Sequence, residues 1–146
     1  MLGRDYPDEN CSIARALEVL GERWSLLILR DALFRGMSRY SQFQQSLDIA
    51  SNVLADRLKR LVDEGLFERV DGGTYRTTAK AHAVAPVLLA LTAWGDTWAA
   101  PHGAPIIYRN TVGAELHIEV RDDLGQTQPP GAPISAHPGP GSDAGR

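Results

Sequence analysis

The chain has 146 residues, of which 43% are hydrophobic and 23% charged, with a net charge of -3. This length fits one domain with an elaborated end, and the absence of any run of eighteen apolar residues argues against a membrane span. A single cysteine excludes an internal disulfide and a cysteine-based zinc cluster.

The N-terminal residues 1–10 contain three acidic residues and no apolar stretch. They therefore do not have the pattern of a signal peptide, and we expect a cytoplasmic protein. Charge is uneven along the rest of the chain. Residues 23–80 carry ten Lys or Arg against seven acidic residues, whereas the segments on both sides are each net acidic by three charges. A basic segment of this kind can neutralise phosphates locally, although chance variation of a solvated surface gives the same pattern.

The first two predicted helices cover residues 13–20 and 24–33. The first has an apolar face that repeats at i, i+4 and i+7, formed by Ile13, Leu17 and Leu20. The second is apolar nearly all round, which is typical of a short helix at the centre of a core. Trp24 is expected to anchor that core, and Gly36 ends the helix.

A helix-turn-helix unit is predicted next. A capping box with Ser41 as N-cap and Gln44 three residues later opens a short helix that ends near Leu47. After a turn at 48–50, residues 51–64 form an amphipathic helix. Its inward stripe consists of Leu54, Leu58 and Leu61. A short helix, a turn and a second helix in this order form the helix-turn-helix unit, although many helical proteins contain such a pair by accident.

A glycine-rich turn at 71–73 joins two predicted strands, 66–70 and 74–77, into a hairpin. A hairpin directly after a helix-turn-helix unit forms a wing, which can contact the DNA backbone or the minor groove. A long apolar helix over 79–98 follows. Pro86 lies inside it and should either bend the helix or mark a late start.

The C-terminal part changes character. Residues 105–108 and 116–120 predict two strands joined through 110–113, and alternation in the second strand predicts one buried face. That face consists of Leu116, Ile118 and Val120. From Gln128 onward the chain is rich in Pro, Gly, Ser and Ala, which is typical of a flexible tail.

The predicted fold is mostly α with a small β component. It is a winged helix-turn-helix with a long C-terminal dimerisation helix and a small β-hairpin extension. Residues 1–100 form the winged domain with the dimerisation helix, residues 101–127 the extension, and residues 128–146 the flexible tail.

Small and polar side chains at the N-terminal outer face of helix 51–64 are suited to a major groove. Asn pairs bidentately with adenine, Ser donates or accepts, and Ala contacts a thymine methyl, whereas basic residues farther along meet phosphates. Arg57 has two alternatives, a DNA contact or a brace for Asp56 or Asp63. The candidate DNA-contacting residues are Arg39, Ser41, Gln42, Ser51, Asn52, Ala55, Asp56, Arg57, Lys59, Arg60, Arg69 and Arg76.

Several segments together carry a resemblance to a known family. They are Cys11 and residues 20–24, 26–30, 39–43, 49–58, 61–66, 75–78 and 94–95. In this combination the chain resembles the HxlR-type regulators, relatives of the MarR-like winged-helix proteins, over residues 11–98. The resemblance implies a homodimer, double-stranded operator DNA, regulation of nearby genes, and helix 51–64 as the recognition helix.

The resemblance also implies a signal. Some similar proteins respond to oxidants or electrophiles through a thiol at the place of Cys11, although a free cysteine is often simply buried. The other route is a small-molecule effector held between the wing domain and the dimer helices. The aromatic candidates for such a pocket, which at helical spacing are more often plain core, are Trp24, Trp94, Trp98 and Tyr108.

The extension differs from that of some family members, which carry paired cysteines there. This chain has none, and its histidines are too scattered to be ligands, so we expect no metal and no cofactor. We expect the extension either to cap the dimer or to line a pocket.

Dimerisation follows from the apolar character of helix 79–98, which is too hydrophobic for the surface of a small monomer. The candidate interface residues are Val84, Leu88, Leu91 and Trp98. A two-fold dimer places two recognition helices about 34 Å apart, one turn of B-DNA, so the expected operator is a short inverted repeat. Repression is favoured over activation.

The sequence is less compatible with two other function classes. A winged helix can serve as a protein-interaction module without DNA, but the basic middle segment and the small polar face of helix 51–64 disfavour this. An enzyme is disfavoured because the sequence has no Ser-His-Asp order with supporting context, no glycine-rich phosphate loop and no cluster of metal ligands, so no catalytic residue is assigned.

Overall fold

The computed structural model describes residues 5–7 and 10–142. The chain divides into two compact units, one through Leu88 and one from Leu89 onward, and each is described by itself. The expectations for the other N-terminal residues and for the last four residues of the tail lie outside the described part. No helix in that part is both long enough and apolar enough to cross a membrane.

The first unit contains a helix-turn-helix followed by a hairpin. Its elements in chain order are α1 (Ser12–Leu20), α2 (Arg23–Arg35), α3 (Tyr40–Leu47), α4 (Ser51–Asp63), β1 (Phe67–Val70), β2 (Thr74–Thr77) and α5 (Ala79–His82). The two strands are antiparallel, with Phe67 opposite Thr77. Both glycines of the connecting turn have positive φ, the conformation that glycine adopts without strain. The mostly helical fold with a wing is confirmed.

The core of the first unit lies between α2, α3, α4 and the hairpin. The predicted stripe on α4 is confirmed, because Leu54, Leu58 and Leu61 are all buried. Phe43 of α3 and Phe67 of β1 stack on each other with ring centroids 6.3 Å apart. Burial of these apolar side chains fixes the inner side of α4 and leaves its other side to solvent.

A buried carboxylate joins α2 to α3. Asp31 is fully buried, and its Oδ1 accepts a hydrogen bond of 2.8 Å from Arg30 Nε while its Oδ2 accepts one of 2.7 Å from Ser46 Oγ. Arg35 adds an ion pair at 3.3 Å. These partners satisfy a charge that would be costly to bury alone. The sequence analysis did not single out this residue.

The start of α3 differs from the prediction. The N-cap is Arg39, and Ser41 lies inside the first turn. Gln42 Oε1 accepts hydrogen bonds from the backbone N–H groups of Ser38, at 2.9 Å, and Arg39, at 3.0 Å. The capping box predicted with Ser41 and Gln44 is wrong, because the amide two residues earlier already satisfies free donors at this helix end.

The single helix predicted over 79–98 is also wrong. The structure has α5 and then α6 (Ala85–Trp98), separated at residues 83–84. Pro86 lies in the first turn of α6, where the missing N–H removes no helical hydrogen bond. Of the two alternatives for this proline, the late start is therefore the one observed.

The second unit contains the C-terminal part of α6 and the extension. Its strands are β3 (Val120–Arg121) and β4 (Thr127–Gln128), which pair antiparallel. The predicted pairing of strands 105–108 and 116–120 is wrong. It is reduced to one bridge between Arg109 and Glu115 and a 2.9 Å bond from the N–H of Leu116 to the carbonyl of Tyr108.

The face of this segment that was expected to be buried is exposed in the protomer. Leu116, Ile118 and Val120 are exposed by 42%, 40% and 61%. Alternation identifies a face but not what covers it, and a two-stranded element has no second layer of its own.

Candidate nucleic-acid interface

The outward side of α4 carries a set of small and polar side chains. Helical periodicity of 100° per residue places them together on the side opposite the buried leucines. They are Ser51, Asn52, Ala55, Asp56 and Lys59, and all five are exposed. The structure therefore brings together five of the residues predicted to contact DNA.

Two side chains of α3 hold the beginning of α4. Tyr40 Oη donates to the carbonyl of Ser51 at 2.9 Å, and Gln44 Nε2 donates to Ser51 Oγ at 2.7 Å. Asp48 in the turn between the helices has a left-handed φ of 48°. The Ser51 hydroxyl accepts the hydrogen bond from the Gln44 side-chain amide and can still donate its own hydrogen. Neither α3 side chain could be predicted in this role, because helical periodicity does not extend across the turn between α3 and α4.

Arg57 braces the fold. It is 8% exposed, its Nη2 lies 3.1 Å from Glu22 Oε2, and its Nη1 pairs with Asp56 Oδ2 at 2.5 Å. Of its two alternatives, the structure gives the brace and not an outward DNA contact. The partner Asp56 was expected and Glu22 was not, while Asp63 pairs with Lys59 instead.

Arg60 and Lys59 also have partners within the chain. The half-buried Arg60 donates through Nη2 to the backbone carbonyl of Glu18, which ties α4 to α1. Lys59 Nζ donates to Asp63 Oδ2, and this hydrogen bond together with the carboxylate charge raises the pKa of Lys59 above its usual value. Lys59 is fully exposed to solvent, so it can exchange this partner for a phosphate.

The wing presents two arginines in different states. Arg76 donates to Glu68 Oε2 on the opposite strand, at 3.0 Å from Nε. Arg69 is exposed, with its guanidinium carbon 5.9 Å from the ring centroid of Tyr75. The N–H of Tyr75 donates to the carbonyl of Ser38 at 2.7 Å, which attaches the wing to the segment before α3.

That attachment places Arg39 beside the wing. Arg39 forms an antiparallel bridge with Thr74, the first residue of β2. Arg39 and Ser41 are exposed, whereas the side-chain oxygen Oε1 of Gln42 accepts a hydrogen bond from the backbone at the start of α3. Within the first unit, Arg39 therefore lies at the base of the hairpin and Arg69 lies along it.

The predicted dimer residues separate into two groups. Val84 and Leu88 are 6% and 7% exposed and belong to the core of the first unit, so their assignment to a partner surface is corrected. Leu91 and Trp98 are 50% and 74% exposed. Together with the exposed Val87 and Trp94 they form a stripe at i, i+4, i+7 and i+11 along α6, which we call the α6 stripe.

A second apolar surface lies on α1. Ile13 and Leu17, four residues apart, are 71% and 46% exposed, whereas Ala14 is buried. The helical face predicted from their spacing exists, but much of it is not covered by the protomer. Large exposed apolar side chains on one helix face are typical of an interaction surface.

The sensor and pocket candidates lie in different environments. Cys11 is half-buried and is the N-cap of α1. Trp24 packs against the core of the first unit with Arg23 over its ring at 5.1 Å, and Trp94 and Trp98 are largely exposed. Only Tyr108 among the four aromatic candidates lines a cavity of the second unit, with a volume of about 260 Å³.

Residues 5–7 and 10–142 contain no group of three or more His, Cys, Asp or Glu side chains that could hold a metal ion. The polar residues that the structure gathers in the first unit lie instead on an open helix face and on the adjoining wing. This arrangement is suited to contact with the grooves and phosphates of a duplex.

Comparison with known proteins agrees with this geometry. Residues 19–103 match the family model described as HxlR-like helix-turn-helix. The HTH-type transcriptional regulator Rv3095 of Mycobacterium tuberculosis is 39% identical over 120 residues, which cover 77% of this chain and 75% of that protein.

Two solved structures extend the likeness. The crystal structure of PA1607, a candidate transcription factor, has a TM-score of 0.75 at 34% identity, and the likeness covers 90% of this chain and 97% of that one. The quinone-bound YodB of Bacillus subtilis has a TM-score of 0.54 at 31% identity and covers 60% of this chain and 99% of that one.

The brace formed by Arg57 gives a direct test of how α4 is held. We expect Arg57→Ala to lower the free energy of unfolding by about 1–2 kcal/mol, because Glu22 loses its ion pair and a packed side chain is removed. Lys59→Ala, two residues away and exposed, should leave the unfolding midpoint unchanged. Urea unfolding followed by tryptophan fluorescence measures both. Equal midpoints for the two variants would show that the brace contributes nothing.

Proposed function

Because the chain belongs to the HxlR-like helix-turn-helix family, we propose that it is a repressor that binds an inverted-repeat operator as a homodimer. As a member of this family, the chain is a DNA-binding transcriptional regulator and not an enzyme. The observation that carries the proposal is the exposed polar face of α4 beside a wing that carries basic residues.

We propose that Asn52 reads a base. It lies in the first turn of α4 and is exposed. Its amide offers a donor and an acceptor that complement the acceptor and the donor of adenine in the major groove. Ser51 and Ala55 lie on the same side and can contact neighbouring positions. Asp56 is partly neutralised by Arg57, which lessens its repulsion of phosphates.

Phosphate contacts are assigned to cations around this face. Arg39 and Arg69 have no ion-pair partner among the described residues and are exposed, so they can reach DNA without breaking an ion pair. Lys59 and Arg76 reach a phosphate by exchanging a carboxylate of their own chain for it. Arg57 and Arg60 are assigned to the fold, because both are directed toward the rest of the first unit.

A second copy of the chain is the proposed cover for the apolar surfaces on α6 and α1. The α6 stripe alone presents two tryptophans that are more than half exposed. Burying such side chains against a partner gains free energy at about 25 cal/mol per Å², which favours association strongly. A two-fold arrangement then presents one α4 to each of two successive major grooves.

Release from DNA is proposed to follow either from modification of Cys11 or from binding of a small molecule. Support for the thiol route is the half-buried position of Cys11 before α1 and the similarity to YodB, a regulator solved with quinone bound. Because α1 is tied to α4 through Glu18 and Arg60, a shift of α1 acts on the DNA-reading helix.

The base contact predicts the effect of one substitution. After selection of an operator from random duplexes, Asn52→Ala should lower its affinity by about 1–3 kcal/mol, because the bidentate contact is lost. Fluorescence anisotropy measures this, with Gln126→Ala in the extension as a control that keeps full affinity. The affinity of the parent protein should fall steeply with salt. An unchanged Asn52→Ala affinity would remove this residue from the base-reading set, and failure to select any duplex would favour a protein-interaction module.

The α6 stripe predicts a dimer that a single charge disrupts. Trp98→Glu should halve the mass measured by sedimentation equilibrium, because a carboxylate cannot be buried there without a partner. It should also weaken binding to the two-half-site duplex far more than to a single half-site. Ile134→Glu, equally exposed but in the tail, should leave the dimer intact. A monomeric parent protein, or a Trp98→Glu variant that remains dimeric, would contradict this interface.

The thiol route predicts a specific chemical response. p-Benzoquinone should add to the Cys11 sulfur, forming one carbon–sulfur bond and leaving the ring as the hydroquinone after proton transfer. The adduct should release the operator. Cys11→Ser should bind the operator as the parent does and not respond. Mass spectrometry and anisotropy on the same samples measure both steps, and equal release of the serine variant would exclude the thiol as the sensor.

A further inference from the structure

We propose that the cavity of the second unit binds a small lipophilic cation, an amine that carries an apolar group. The cavity is formed by one face of the C-terminal half of α6 and by the extension, and its volume is about 260 Å³. Binding itself stands apart from the function proposed above, whereas its regulatory consequence rests on that function.

Somewhat more than half of the cavity wall is apolar. Side chains on both sides provide this part: Leu89 from α6, and Ile106, Ile107, Leu116 and Ile118 from the extension. Cavities that take small molecules are typically built in this way, with a few polar groups that fix the orientation of the ligand. The volume suits a compound of one ring and a short chain.

The polar groups of the cavity select the charge of the ligand. Asp96 and Glu115 line it, and no Lys or Arg does. Glu115 lies 3.9 Å from Arg109 and is partly compensated, whereas Asp96 has no ion pair among the described residues. A carboxylate ligand would meet two like charges here, and an ammonium group would meet a partner that can accept its hydrogen bonds.

Tyr108 reinforces this selection. Tyr108 is part of the cavity lining, and the face of an aromatic ring attracts cations. Thr92 and His117 add polar atoms to the same lining. Carboxylate, aromatic ring and apolar wall are together the combination that recognises an organic amine rather than an inorganic cation, for which the residues described here offer no cluster of ligands.

The position of the cavity on α6 links it to association of the protomers. At 100° per residue, Leu89, Ala93 and Asp96 share one face of the helix, and Leu91, Trp94 and Trp98 of the α6 stripe share the opposite face. The same helix therefore contacts the ligand on one side and the proposed partner on the other. A ligand that shifts or tilts α6 changes the spacing of the two DNA-reading helices.

A charge series tests the proposal on the full-length protein without DNA. Titration calorimetry is performed with 2-phenylethylamine, 2-phenylethanol and 3-phenylpropionate, which share a phenyl ring and differ in charge. The amine should bind at least about tenfold more tightly than the alcohol, because the charge-assisted hydrogen bond to Asp96 is made only by the amine. The carboxylate should not bind. Equal affinities for the three compounds, or no binding of the amine, would overturn the proposal.

Matched variants locate the site. Asp96→Asn should weaken the amine about tenfold and leave the alcohol unchanged, whereas Asp123→Asn, on an exposed turn outside the cavity, should alter neither. Leu89→Gln, which places an amide in the apolar wall, should weaken both compounds. Circular dichroism confirms that the variants are folded. An amine affinity unaffected by Asp96→Asn would show that the compound binds elsewhere.

Adding operator DNA separates this proposal from the function proposed above. Binding of the amine that also releases the duplex supports both. Binding with an intact DNA complex keeps the cation site and removes its regulatory role, and a protein that binds no duplex but still binds the amine through Asp96 overturns the operator proposal alone.

Discussion

The ion pair between Arg57 and Glu22 is the interaction on which the orientation of α4 depends most directly. The leucine stripe fixes which side of α4 faces the core, but apolar packing alone tolerates small rotations and slides. The 3.1 Å contact to Glu22, together with the bond from Arg60 to the carbonyl of Glu18, ties the helix to α1 and to the connection that follows it. Two basic residues of the most basic segment thus hold the geometry of the proposed DNA-facing surface through contacts within the chain.

Helix α6 contributes apolar side chains to three different environments because it is apolar on more than one side. Leu88 belongs to the core of the first unit, the α6 stripe is exposed, and Leu89 lines the cavity of the second unit. The likeness to PA1607 covers 90% of this chain, which is more than the first hundred residues, whereas the likeness to YodB covers 60%. The extension is therefore also present in some similar regulators. In this chain it forms part of the cavity wall, which a chain without the extension would lack.

Local patterns allowed the order of the helices and strands in the first unit to be predicted up to the break between α5 and α6. The leucine stripe of α4 and the glycine turn of the wing depend on residues close in sequence, and both were correct. Arg57 contacts Glu22, 35 residues away, and Arg60 contacts Glu18, 42 residues away. No rule of sequence spacing extends over such distances. Val84 and Leu88 were assigned to a partner because periodicity shows that a face is apolar, but not which layer covers it. The prediction for the extension was wrong for a related reason, since alternation alone did not determine which strands pair.

The ion pairs on the DNA-facing side have a consequence for how the protein searches a genome. Each of Lys59 and Arg76 is already neutralised by a neighbouring carboxylate, so its transfer to a phosphate displaces an internal partner as well as a condensed counterion. With the proposed contacts, the free energy gained by binding a random duplex would be correspondingly small, and residence at wrong sequences would be short. Occupancy would then be decided mainly by base contacts, and fewer molecules would be lost to the large excess of competing chromosomal sites.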